Sequence, residues 1–195
     1  MFRRISLASL FSAIAAAPAF AHLDPAEHGS FMAGVSHPLF GPDHILAMVA
    51  VGLWASQIAA SNGDRRALWG IPAAFVGTMA VGFAAAVAGV PLPFVEPVIL
   101  ASVVALGLLV AMAVRLPVAV SAIVVGLFAF FHGHAHGGEL GAAGALSFGI
   151  GFMLATALLH GVGIAIGLSV GRFSPWIARL AGGLTALAGL SLAFG

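Results

Sequence analysis

Six long apolar stretches, joined by connections of a few residues, fix what this chain can become. They lie within Gly29–Ser56, then at Trp69–Val90, Pro97–Val114, Leu116–Gly133, Ala143–Val170 and Pro175–Phe194. Stretches of about 18 or more apolar residues are long enough to cross a bilayer as helices. Charge is correspondingly scarce: Asp, Glu, Lys and Arg make up 7% of the 195 residues, against roughly 25% in soluble domains. A soluble fold could not clothe its surface with so few charges, whereas lipid asks for none. The chain is therefore expected to be all-α, a polytopic membrane helix bundle of about six transmembrane helices with no soluble domain inserted between them.

Residues 1–21 read as a secretory signal peptide. Arg3 and Arg4 precede a short apolar core, Ile5 to Ala17, and Ala19-Phe20-Ala21 has the small-x-small form of a cleavage site. The other reading is an uncleaved N-terminal helix. Cleavage after Ala21 would leave residues 22–195 as a six-helix transmembrane domain that begins at His22, with five Arg against six acids and a formal charge of −1. It would also put the new N-terminus in the periplasm. Arg65, Arg66, Arg115 and Arg172 then all face the cytoplasm, Arg179 can reach the same side, and the outer loops carry no Arg. That is the positive-inside pattern, and it places the chain in the bacterial cytoplasmic (inner) membrane as a multi-pass protein. Trp54, Trp69 and Trp176 read as interfacial anchors.

Small residues four apart, Gly163 and Gly167, Gly167 and Gly171, Gly182 and Ala186, predict close helix pairing in a compact bundle. The two halves each open with a His-bearing, Gly-containing helix, and with three spans apiece they would form an inverted repeat.

Against this apolar background the eight His stand out, and the lack of Cys removes disulfides, thiolate metal sites and Cys nucleophiles together. The sharpest segment is His37-Pro38-Leu39-Phe40-Gly41-Pro42-Asp43-His44, inside the first predicted helix. Ionisable groups at bilayer depth are expensive and mark pathways or sites. Gly41 followed by Pro42 reads as the end of one half-helix and the first position of the next, and broken helices at membrane depth commonly form ion sites. The plainer reading has Asp43 favouring a helix start and the His bonded to backbone; for all three residues together a metal site is the better account.

The second segment is Phe131-His132-Gly133-His134-Ala135-His136-Gly137-Gly138-Glu139, at the outer end of the fourth predicted helix. Were that helix to continue, His132, His136 and Glu139 would share a face, but Gly137-Gly138 argues against it. His132 is expected to be a ligand, while His134 and His136 are divided between a ligand role and collection of metal on an outer loop. His160, in the fifth predicted helix, is expected near the midplane at the depth of His44, on a metal path or as a packing residue. Met48 reads as core filling. Imidazole nitrogens suit nickel, zinc, copper and iron.

At these two motifs the chain resembles the HupE/UreJ family of membrane proteins, which is associated with nickel supply for hydrogenase and urease. The family's His-x5-Asp-His motif is matched by His37, Asp43 and His44, and its Phe-His-Gly…Glu motif by Phe131, His132, Gly133 and Glu139; the six-helix plan fits across the whole length. Nickel, as opposed to another divalent ion, is what the resemblance implies. The resulting expectation is a Ni2+ permease, not an enzyme, with metal ligands His37, Asp43, His44, His132, Glu139, His160 and His136. It would hold no permanent cofactor; Ni2+ is the transported ion. Its partners would be that ion, the lipid bilayer and a second copy of the chain, with no nucleic acid. The alternatives are a metal-binding accessory or sensor protein, a cobalt- or copper-type transporter, and a bis-His haem protein. Ser36 is not in a Gly-x-Ser-x-Gly setting, and neither His-Glu-x-x-His nor a Gly-x4-Gly-Lys-Ser/Thr loop occurs.

Overall fold

The computed structural model describes residues 30–140, 144–171 and 174–195, with the backbone alone at 139 and 140. The expected signal peptide, His22, His28 and Arg172 lie outside the described residues. Seven helices are present among those described: α1 (Phe31–Phe40), α2 (Pro42–Asn62), α3 (Ala67–Val87), α4 (Val95–Ala111), α5 (Val118–Leu140), α6 (Ala145–Gly171) and α7 (Pro175–Phe194). Five of them, α2, α3, α5, α6 and α7, are long and apolar enough to cross a membrane, and α4 is apolar but shorter at 17 residues. The molecule is a multi-pass membrane helix bundle. Many large apolar side chains point outward, as at Ile123, Leu146 and Leu158, while His44, Ser102, His132, Thr156 and His160 are buried. This inversion is what a lipid solvent permits.

The first apolar stretch is broken where Gly41 and Pro42 stand. Ser30 caps α1, its Oγ accepting from the Ala33 amide at 3.0 Å. Pro38 lies within the last turn, and Gly41 is extended at φ −88°, ψ 110°. Pro42 then opens α2, at a position where its missing N–H is no loss. Asp43 occupies the first turn of α2, the end of the helix dipole that favours a carboxylate.

Glycines set the closest helix crossings. A Cβ at Gly52 of α2 would run into the carbonyl of His160 on α6, and one at Gly163 into the carbonyl of Val49. The crossing of α3 and α5 repeats this, with Gly82 against Phe130 and Gly133 against Met79. Gly133 follows Gly52, and Gly163 follows Gly82, by the same number of residues, so the contact of α2 with α6 is reproduced by that of α5 with α3. One helix crossing between the halves thus has a counterpart in another.

Three side chains satisfy carbonyls beyond the last turn of the short α4 or within it. Trp54 Nε1–H donates to Val114 at 2.9 Å, Gln57 to Val110 at 3.1 Å, and Arg179 Nε–H to Ala111 at 2.8 Å. Orphan helix-end carbonyls in a membrane need such partners. Trp54 is consequently fully buried, which corrects its reading as an interfacial anchor, whereas Trp69 and Trp176 are exposed.

Candidate metal centre

Three elements converge at one end of the bundle. His37 comes from the last turn of α1, Asp43 and His44 from the first turn of α2, and His132 and His136 from one face of α5, four residues apart. The glycine between α1 and α2 leaves room for this, since a Cβ at Gly41 would lie 2.9 Å from His44 Nδ1 and 3.0 Å from Asp43 Oδ1. Gly133 has a matching role on α5: it lets the helix press against the Met79 backbone, which fixes the direction in which His132 projects.

The rings pack edge to face. Centroids are 4.4 Å apart for His37 and His136, 4.6 Å for His44 and His136, 5.0 Å for His44 and His132, and 6.3 Å for His37 and His44. Phe148 and Phe152 wall the cluster on the α6 side. A hydrogen-bonded chain runs through it: Asp43 Oδ2 lies 3.0 Å from His44 Nδ1, and His44 Nε2 lies 2.7 Å from His136 Nε2. An ionised carboxylate only accepts, so His44 Nδ1–H donates to Asp43; a neutral His44 then accepts at Nε2, and His136 Nε2–H donates to it. On α4, Ser102 Oγ sits 2.9 Å from His132 Nε2 and 2.6 Å from the Ile99 carbonyl.

Imidazole nitrogens with a carboxylate behind them are what a borderline divalent cation binds. Two imidazoles sharing an ion at about 2.0–2.1 Å each need their nitrogens about 3 Å apart or more. The 2.7 Å pair of His44 and His136 is closer than that. Accordingly, among the described residues no group of three or more His, Asp or Glu side chains is arranged as it stands to hold a metal ion. His44 and His136 keep their Nε2 atoms engaged with one another, and an entering cation would have to part them.

The remaining sequence candidates are placed differently. His134 turns away from the cluster and its Nε2 lies 2.7 Å from the Val90 carbonyl. The expected outer loop at His134–Gly141 is instead the end of α5, which runs to Leu140, because Gly137 packs against the Phe83 carbonyl of α3 rather than ending the helix. His136 is buried within the cluster, not on a collecting loop. The backbone of Glu139 continues α5, but its side chain lies outside the described residues. His160 is not at the depth of His44: its carbonyl packs against Gly52, about two turns further along α2. Phe75 stands between the two levels, with ring centroids 5.9 Å from His132 and 5.0 Å from His160.

Comparison with known proteins agrees with the motifs. The family described as HupE / UreJ protein matches residues 10–192. The chain belongs to the HupE / UreJ family. It is also 46% identical over 183 residues to Protein HupE of Rhizobium leguminosarum bv. viciae, covering 92% of this chain and 93% of that one. No solved structure matches.

Membership in the HupE / UreJ family rests on a match that spans both histidine motifs and the helices that carry them. Several residues at the centre were not singled out from sequence. They are Ser102, whose hydroxyl also bonds back to its own helix, and Phe75, Phe148 and Phe152. In a chain with 15 Phe, nothing local marks these three.

Proposed function

We propose that this chain is a nickel permease, carrying Ni2+ across the bacterial inner membrane from the periplasm toward the cytoplasm for hydrogenase or urease maturation. The observation that carries the reading is the linked chain Asp43–His44–His136 with the His37 and His132 rings against it, inside an apolar bundle. Nickel among divalent ions is supported by the family; the imidazole donors suit nickel, zinc, copper and iron alike.

In this reading His37 and His136 receive the ion, with Glu139 as a further carboxylate. His44 and His132 hold it next, Asp43 offsetting part of its charge through His44. Passage then requires displacement of the Phe75 ring, beyond which His160 offers the next nitrogens. Arg115 and Arg179 line a cavity of about 250 Å³ at the opposite end, together with Ser56, Gln57 and Ser61; that asymmetry supports a cytoplasmic placement for this end. An inward divalent cation gains about 4.6 kcal/mol per 100 mV of membrane potential, twice the single-charge value. That drives accumulation without ATP.

The test is uptake by purified protein in liposomes under an inside-negative potential, with Co2+, Cu2+, Zn2+ and Mn2+ as competitors. Ni2+ accumulation that depends on the potential supports the permease. Tight Ni2+ binding with no flux would replace it with an accessory or sensor role. In this Cys-free background a cysteine in place of Arg65 should react with impermeant maleimide only after the cytoplasmic side is opened, and reaction from the periplasm would overturn the orientation.

A further inference from the structure

The geometry points to Ser102 as a positioning residue that locks the ring and tautomer of His132, so that Nδ1 is the nitrogen presented to the cation. Ser102 and His132 are both 0% exposed, and no solvent competes for their hydrogen bonds. Ser102 has a single hydroxyl proton and two neighbours for it. The Ile99 carbonyl, at 2.6 Å, can only accept, so the hydroxyl donates there. His132 Nε2, at 2.9 Å, must therefore be the donor to Ser102 Oγ. A neutral imidazole with its proton on Nε2 carries its lone pair on Nδ1. Among the described residues Nδ1 of His132 is buried with no hydrogen-bond partner. The opposite assignment would leave two oxygens 2.6 Å apart with no proton between them, and would bury an unmet Nδ1–H. Ligating histidines characteristically have their other ring nitrogen held in this way. The hydroxyl comes from α4, a helix that contributes none of the expected metal ligands, so α4 takes part in the site through Ser102.

This inference rests on the reading that the cluster binds a divalent cation. Its test uses Zn2+ as a diamagnetic probe and Ni2+ for affinity, on full-length protein carrying ¹⁵N-labelled histidine. Without metal, His132 should show a protonated Nε2 and an unprotonated Nδ1; Zn2+ should shift Nδ1 and leave Nε2 protonated. Ser102→Ala should weaken Ni2+ binding about 10- to 100-fold, the usual loss when such a partner is removed, and Ser102→Thr should restore most of it. Coordination through Nε2, or a metal-free His132 protonated on Nδ1, overturns the proposal from the unmutated protein alone, even if the variants fail to insert. Unchanged affinity in Ser102→Ala while His132→Ala loses binding overturns Ser102 alone. Unchanged affinity in His132→Ala overturns both the proposal and the metal reading at His132.

Discussion

His44 and His160 are both buried in the same bundle, 4% and 1% exposed, yet they are kept there on opposite terms. Both ring nitrogens of His44 are engaged, one by Asp43 and the other by His136. Among the described residues neither ring nitrogen of His160 has a hydrogen-bond partner, and its near neighbour is the face or edge of Phe75. A buried polar group without a partner costs about 1–3 kcal/mol, so His160 lowers stability where a leucine would raise it. His44 is thus satisfied by its neighbours, whereas His160 is buried at a cost to folding. On the proposed permease reading, that difference separates a station where an ion is held from a point it passes.

The largest effect is expected at the cluster. His44 is the ring that joins the carboxylate to His136 and packs on His132, so His44→Ala should abolish Ni2+ uptake in liposomes while the protein still inserts. Uptake within twofold of the parent would show that the cluster is structural. His160→Leu should act in two directions at once. Uptake falls, while thermal stability rises by about 1–3 kcal/mol as two unmet polar atoms are removed. A loss of stability would mean that His160 is satisfied and that the contrast with His44 does not hold. The smallest effect belongs to His134. Its ring bonds to the Val90 carbonyl away from the cluster, so His134→Ala should cost about 0.5–1.5 kcal/mol of stability at most and leave uptake close to that of the parent. Severe loss of uptake would bring His134 back into the ion path.

The contrast between these histidines was only partly legible in the sequence. The break in the first helix was readable because Gly41 and Pro42 act locally, one without a Cβ and the other without an amide hydrogen. That His37, Asp43 and His44 belong together followed from the same eight residues. His136 was harder. Gly137-Gly138 reads as a helix end when taken alone, but here Gly137 serves the approach of α3, a partner that sequence spacing does not announce. The level of His160 was misjudged because counting from helix ends ignores the offset between α2 and α6, which the Gly52–Gly163 crossing sets. Trp54 was misjudged for a related reason: its partner is the Val114 carbonyl, 60 residues away.

Asp43 is the carboxylate behind His44 in the cluster. Asp43→Asn keeps the size of the side chain and removes the charge; its amide can also donate to His44, which would reverse the proton order along His44 and His136. The decisive measurement is the initial rate of Ni2+ entry into liposomes at limiting Ni2+ and a fixed inside-negative potential, for the parent and Asp43→Asn reconstituted in equal amounts. The account predicts that Asp43→Asn loses entry by about 100-fold or more, a larger loss than the 10- to 100-fold typical of a partner behind a metal ligand, because the only charge facing the cation is gone from the described cluster. Equal rates would contradict it.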